Sequence, residues 1–200
     1  MYDLVIFFVT VLKRYNFKIA HTHSTLKCLE AFLGIGYLLV SCGEKKMIVQ
    51  NESREIIVGR AIEFDMAHRL PLHKGKCKSL HGHRYQVEVS LKGIIQSGST
   101  NERAGMVVDY GEIKSVLCSV IFEPFDHSVT LYEKDPLVPL IQSVSDQKLN
   151  IVPFMPTAEE LAFYFYSELS REFSSRNALI CDRVTVRESS ETFAIYERKT

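Results

Sequence analysis

The sequence predicts an α+β fold, an antiparallel sheet with helices packed on one face, and three observations carry that prediction. The stretch "RYQVEVSLKG" alternates, with Tyr85, Val87, Val89 and Leu91 on one side and Arg84, Gln86, Glu88, Ser90 and Lys92 on the other. A period of two with one apolar side marks a half-buried antiparallel strand. From about Gly111 to Phe122 the apolar residues Ile113, Val116, Leu117, Val120 and Ile121 recur instead at spacings of three and four, as on an amphipathic helix. The elements run strand, strand, helix, helix, strand, strand, so helices and strands are grouped rather than alternating, which favours helices on one side of an antiparallel sheet.

Taken in order, residues 1 to 46 fit none of these elements. "LVIFFVTVL" (Leu4 to Leu12) and "AFLGIGYLLV" (Ala31 to Val40) are apolar, but a membrane span needs about 20 residues, so neither is expected to cross a bilayer. A signal peptide needs a basic start, and Asp3 is the only charge ahead of the first run. Residues 1 to 46 are therefore expected to be an extension, with Met47 a candidate start and residues 47 to 200 the catalytic domain; a helical appendage packed on that domain is the rival reading. "EIIVGRAIEF" then reads as the first strand and "RYQVEVSLKG" as the second, joined through "QSGSTNERAG" and "MVVDY" to the helix that Pro124 should end. "DPLVPLIQSV" is too interrupted by proline for a long helix. In "PTAEELAFYFYSELSREF" Thr157 can cap a second helix, with Glu160 in capping-box position. "DRVTVRES" and "TFAIYER" close the chain as two strands.

Composition narrows the function. With 24 basic and 24 acidic residues the net charge is zero, which speaks against nucleic acid as a partner. The five cysteines are odd in number and scattered, which favours a reducing, cytoplasmic setting over a disulfide scaffold.

Four of the seven histidines crowd into "MAHRLPLHKGKCKSLHGHRYQVEVSL". His81 and His83 are two apart at the entry of a strand, so both imidazoles share a side with Tyr85 and Val87. Counting back by twos from His68 gives Met66, Phe64 and Ile62, the apolar side of the first strand. If the two strands pair, His68, His81 and His83 meet, and three neutral imidazoles suit zinc with a fourth position open. A lone histidine is usually an ordinary core or surface residue; three in phase at strand ends favour a metal. His73, His21 and His23 have no such phase. Cys77, four residues before His81, allows two readings: a fourth ligand closing a structural zinc site, or a thiolate base kept off the metal. Asp126 and His127 stand side by side after the first helix, as an acid/base couple or as plain loop residues. Glu188 shares a side with Val184 and Val186, and an unpaired carboxylate on an apolar face is costly, which points to a bound donor partner.

Together "FDMAHRL", "KCKSLHGHRYQVEV", "GMVVDYGEIK", "FDH", "PTAEELA" and "VTVRES" resemble the 6-pyruvoyl tetrahydropterin synthase and 6-carboxytetrahydropterin synthase superfamily, from about residue 56 to 200. The resemblance implies a tunnelling fold (T-fold), a four-stranded antiparallel sheet with two helices on one face, oligomerising as trimers or hexamers into a barrel with sites between subunits. It implies zinc held by His68, His81 and His83, Cys77 as catalytic base, Asp126 and His127 as the proton-transfer couple, and Glu188 as the anchor of the pterin ring. Thr157 and Glu159 match an element near the pterin pocket, although capping explains the threonine equally well.

The implied substrate is 7,8-dihydroneopterin triphosphate. Loss of triphosphate with the side chain kept gives the 6-pyruvoyl product; further cleavage releasing acetaldehyde gives 6-carboxy-5,6,7,8-tetrahydropterin, on the route to queuosine. A cysteine four residues before "HGH", as in "CKSLHGH", resembles the carboxy branch. Three alternatives stay open here: the 6-pyruvoyl reaction, a non-catalytic module with zinc closed by Cys77, and a protein anchored to membrane through residues 1 to 46. "FDHSVTLYEKDPLVPLIQSVSDQKLN" is longer than the loop of compact members of the superfamily.

Overall fold

A computed structural model describes residues 53–98, 100–177 and 179–199, so the expectations for residues 1 to 46 and Met47 lie outside the described residues. Strand β1 (Glu55–His68) and strand β2 (His81–Ile94) form a long antiparallel ribbon, Glu55 opposite Ile94 and His68 opposite His81. Helix α1 (Tyr110–Leu117) is capped by Asp109, whose side chain accepts from the Gly111 N–H at 2.6 Å. It runs on through a π-helical turn (Cys118–Phe122) and a last turn (Glu123–Phe125), so Pro124 lies inside the final turn. Strand β3 (Ser128–Tyr132), the short helix α2 (Val138–Gln142) and strand β4 (Leu149–Val152) follow. Helix α3 (Ala158–Asn177), strand β5 (Ile180–Arg187) and strand β6 (Phe193–Glu197) complete the described chain.

The sheet has six strands in the order β4-β3-β1-β2-β5-β6. The expected four antiparallel strands are present as β1, β2, β5 and β6. Two parallel strands, β3 beside β1 and β4 beside β3, extend them, so the four-stranded expectation is corrected to a six-stranded mixed sheet. The long segment after His127 is thus no loop but a strand–helix–strand unit. Its strand shows no alternation because Ser128, Val129, Thr130 and Leu131 are all buried, covered on both sides.

The main core lies on one face. Phe64, Met66, Tyr85, Val87, Val89, Leu91, Val184 and Val186 meet Ile113, Val116, Leu117 and Ile121 from α1 and its π turn, and Leu161, Phe165, Leu169 and Phe173 from α3. Each such large side chain contributes about 1.5–3 kcal/mol through burial. The opposite face is covered locally: Val129, Leu131 and Val138 pack with Ala67 beneath α2. Among the described residues no helix is long and apolar enough to cross a membrane.

Candidate metal and ligand site

Antiparallel partners share a face of the sheet, so the β1–β2 register decides what meets at its end. His68 pairs with His81 and Met66 with His83, which brings three imidazoles onto the core face beyond Tyr85. Their ring centroids are 4.6 Å (His68–His81), 5.2 Å (His68–His83) and 5.0 Å (His81–His83) apart, and one nitrogen of each lies within 4.8 Å of the others. Gly82 between them lies tight against the β1 backbone: a Cβ there would sit 3.2 Å from the Met66 carbonyl oxygen.

Backbone carbonyls orient two of the three rings. His68 Nδ1 lies 2.6 Å from the Pro156 oxygen, and His81 Nδ1 lies 2.8 Å from the Ser79 oxygen. A carbonyl only accepts, so each Nδ1 carries the proton and each Nε2 keeps its lone pair. Burial pushes the His68 pKa down, more than the Pro156 carbonyl and Glu188 pull it up, and its two histidine neighbours lower it further. His68 is therefore disposed to be neutral, the form that binds a metal.

Tyr85 fills the space behind the cluster. It is 0% exposed and its hydroxyl lies 3.2 Å from His68 Nε2 and 3.3 Å from Glu188 Oε1. Burial, then Glu188, raise its pKa, so the phenol keeps its proton. Glu188 faces the core side as its phase with Val184 and Val186 required, 3.9 Å from His68 Nε2 and with its side chain 23% exposed. The last β2–β5 pair is Gln86–Arg187. There a cleft of about 370 Å³ opens, lined by Glu63, His83, Arg84, Gln86, Arg187, Glu188, Ser189 and Ser190.

Cys77 sits half-buried in a 3-10 turn (Lys76–Lys78) ahead of β2, held by its own carbonyl accepting from the Leu70 N–H at 2.8 Å. Its thiol is not among the gathered ligand atoms. His73 stays in its loop, accepting from the Gly75 N–H at 3.0 Å.

The acid–base couple lies elsewhere. Asp126 Oδ2 is 2.7 Å from His127 Nδ1, while Oδ1 accepts from the Asp65 N–H at 3.1 Å and His127 N–H donates to the Asp65 oxygen at 2.7 Å. Asp65 belongs to the side of β1 opposite the histidines. His127, at a left-handed φ of 55°, points its 78%-exposed ring into a cleft of about 530 Å³ lined also by Asp65, Met66, Ala67, Gly82, His83 and Arg84. Burial works against ionisation of Asp126, but the Asp65 amide, His127 and Lys148 outweigh it and hold the carboxyl below its usual range. Within one chain this pair and the three histidines occupy opposite faces.

Thr157 caps α3: its hydroxyl accepts from the Glu160 N–H at 3.4 Å, and Glu159 is exposed in the first turn. What "PT" supplies to the cluster is the Pro156 carbonyl. Neither that carbonyl nor the Tyr85 hydroxyl was assigned a part from the sequence. For Tyr85 the signal was there, since it follows His81 and His83 on the same face at a period of two; for a main-chain carbonyl there was none.

A family model described as 6-pyruvoyl tetrahydropterin synthase matches residues 57–199. Among curated proteins, the 6-carboxy-5,6,7,8-tetrahydropterin synthase of Haemophilus influenzae is 34% identical over 120 residues, 58% of this chain and 82% of that protein. The one from Rickettsia felis is 38% identical over 111 residues, 55% of this chain and 77% of its own length. Two solved structures share the fold. An uncharacterized protein from Wolinella succinogenes has a TM-score of 0.56 at 20% identity, over 74% of this chain and 100% of that one. The 6-pyruvoyl tetrahydropterin synthase of Caenorhabditis elegans has a TM-score of 0.52 at 24% identity, over 74% and 98%.

Proposed function

Because the chain belongs to the 6-pyruvoyl tetrahydropterin synthase family, we propose that it converts 7,8-dihydroneopterin triphosphate into 6-carboxy-5,6,7,8-tetrahydropterin, releasing triphosphate and acetaldehyde, on the route to queuosine. The observation that carries this reading is the joining of two sites by one side chain: Tyr85 touches both the histidine cluster and Glu188. The branch is favoured by relatives that bear the 6-carboxy name and by "CKSLHGH", with Cys77 four residues before His81.

The residues fit a zinc ion. Three ring nitrogens converge, and for His68 and His81 the backbone has fixed Nε2 as the free donor. Zinc held by His68, His81 and His83 supplies a Lewis acid that makes protons next to a bound hydroxyl or carbonyl easier to remove. The remaining chemistry falls to the chain's own groups. Glu188 accepts two parallel N–H bonds from the guanidine-like edge of the pterin. Cys77, left off the ligand set, is free to take a carbon-bound proton as thiolate, which weighs against the closed structural site. Asp126 fixes the tautomer of His127, whose exposed ring passes protons on. Since that ring lies on the far side of the sheet, it serves the Cys77 of a neighbouring copy, which makes the active form a homo-oligomer closed into a barrel. Thr157 and Glu159 are assigned to the rim of the pterin pocket, and a cytoplasmic setting is assigned from the scattered cysteines. Cleaving the side chain consumes one water, which becomes part of the new carboxylate as two carbons leave as acetaldehyde.

A second reading stops at triphosphate elimination and yields the 6-pyruvoyl product; the description of the family favours it. Mass spectrometry after incubating the zinc-loaded full chain with dihydroneopterin triphosphate separates the two. The expected products are 6-carboxy-5,6,7,8-tetrahydropterin and acetaldehyde. The 6-pyruvoyl compound as end product would select the second reading, and no consumption by folded, zinc-bound protein would sink both.

A further inference from the structure

The last four carbonyls of a helix have no partner within it and must find donors elsewhere. Where the helix begun by α1 ends, ahead of the Asp126–His127 couple, each of them has one. The Phe122 oxygen accepts from the Asp126 N–H at 2.8 Å and the Phe125 oxygen from the Ser128 hydroxyl at 2.6 Å. The rest are met by the segment that enters β4. Lys148 Nζ donates to the oxygens of Glu123 and Asp126, the latter at 2.8 Å, and Asn150 Nδ2 donates to the Pro124 oxygen at 3.0 Å. The second hydrogen of that amide goes to Ser128 Oγ at 3.0 Å, whose own hydrogen is committed to Phe125. From β1, Asp65 clamps the same turn: its N–H donates to Asp126 Oδ1 at 3.1 Å and its oxygen accepts from the His127 N–H at 2.7 Å. His127 is held there at a φ of 55°, a conformation that a residue with a side chain keeps only when its surroundings fix it.

We propose that Lys148 and Asn150 are positioning residues for proton transfer: they lock residues 123–126 so that the Asp126 carboxylate and the His127 ring keep one fixed aim. This role depends on the reading of Asp126 and His127 as the proton-transfer couple. It gives the β3–α2–β4 unit, which extends the sheet beyond four antiparallel strands, a part in the chemistry. The Val129 N–H donates to the Lys148 oxygen at 2.9 Å and Thr130 pairs with Asn150, so the joining of β4 to β3 brings both side chains to the turn. Since a misplacement of about 1 Å can cost 100-fold in rate, residues that act through the backbone can set turnover. Lys148 acts through its charge as well. Burial works against ionisation of Asp126, and Lys148 is among the groups that outweigh it, with the Asp65 amide and His127. From the sheet, Arg84 also acts on this carboxylate, with Glu63 and Asp65 around the same guanidinium. If Lys148 and Asn150 only capped a helix, their loss would show in stability and not in turnover.

The test uses the zinc-loaded full chain with dihydroneopterin triphosphate, for wild type, Lys148→Met, Lys148→Arg, Asn150→Leu and Asp126→Asn. It reads kcat, KM, zinc content and urea midpoint, with an NMR titration of the Asp126 carboxyl alongside. Lys148→Met is expected to keep its zinc, its KM and, because the lysine is exposed, its urea midpoint. Its kcat should fall about tenfold, part of the 100-fold or more that a general acid–base group contributes. Its Asp126 midpoint should rise above that of wild type, since a nearby cation is gone, and Lys148→Arg should restore both. Asn150→Leu should lower kcat by a similar factor at unchanged KM. An unchanged kcat in Lys148→Met, or a fall without a rise in the Asp126 midpoint, would overturn the positioning role while a crippled Asp126→Asn leaves the couple standing. Full turnover by Asp126→Asn, or none by folded, zinc-bound wild type, would overturn the couple and its positioning together. Should Asn150→Leu not fold, Lys148→Met and its rescue by arginine decide.

Discussion

The two faces of the β1–β2 ribbon carry alternate residues of the same two strands, yet they hold their polar groups in different ways. On the core face Phe64 and Tyr85 stack under α3, and the histidines that follow are steered by carbonyls of Pro156 and Ser79. On the other face Glu63 meets Arg84 at 2.9 Å in the open, and the Asp126–His127 pair leans against the Asp65 backbone with its ring in solvent. The dry face fixes geometry by leaving polar atoms few partners, because an unmet buried group costs about 1–3 kcal/mol. The wet face lets charges find water, so its contacts set orientation cheaply and can be lost cheaply.

The sharpest way to break this contrast is at the metal cluster. His81→Ala and His68→Ala are each expected to lose the metal and more than about 100-fold in turnover, since even outer partners of a metal ligand cost 10–100-fold. The two should differ in stability. Only His68→Ala strands a buried group, the Pro156 carbonyl, so its urea midpoint should fall clearly below that of His81→Ala; equal midpoints would contradict the dry-face account. Next in size, Phe64→Ala on the core face should cost about 3–5 kcal/mol in urea unfolding, as deletion of a fully packed ring does.

Asp126→Asn sharpens the comparison from the other side. It should retain zinc and stability but lower turnover about 100-fold, the usual scale of a general acid–base group, as measured by kcat on the zinc-loaded oligomer. Because the folded-state pKa of Asp126 is depressed, its stabilising contacts are complete above the unfolded value and are lost only as pH falls through the lower folded one. An NMR titration should therefore place its midpoint below 3.8, and a midpoint at or above 3.8 would remove the pair's claimed organisation. Smallest of all, Glu63→Ala should leave the urea midpoint unchanged within error.

The antiparallel half of the sheet could be read from residues because one face is dry and the other wet, so Tyr85, Val87, Val89 and Leu91 announce their phase. The same alternation carried the convergence of His68, His81 and His83 and the direction of Glu188. The parallel half could not be read so. Ser128 to Leu131 are buried on both sides, by the helices on one and by α2 on the other, and double burial erases alternation. The opposite placement of Asp126–His127 was equally hidden, since it depends on β3 joining β1 at an edge that no periodicity reveals.

The link between His68 and Pro156 spans 88 positions. In a chain made from its N-terminus, the ribbon can gather all three imidazoles once His83 has emerged, whereas the carbonyl that fixes the His68 tautomer follows roughly 4–15 seconds later at ordinary rates of synthesis. For that interval the nascent hairpin has its three imidazoles but not the orientation of His68. Fixing the His68 tautomer is therefore a late event, timed by the arrival of the segment that leads into α3 rather than by the pairing of the strands that carry the histidines.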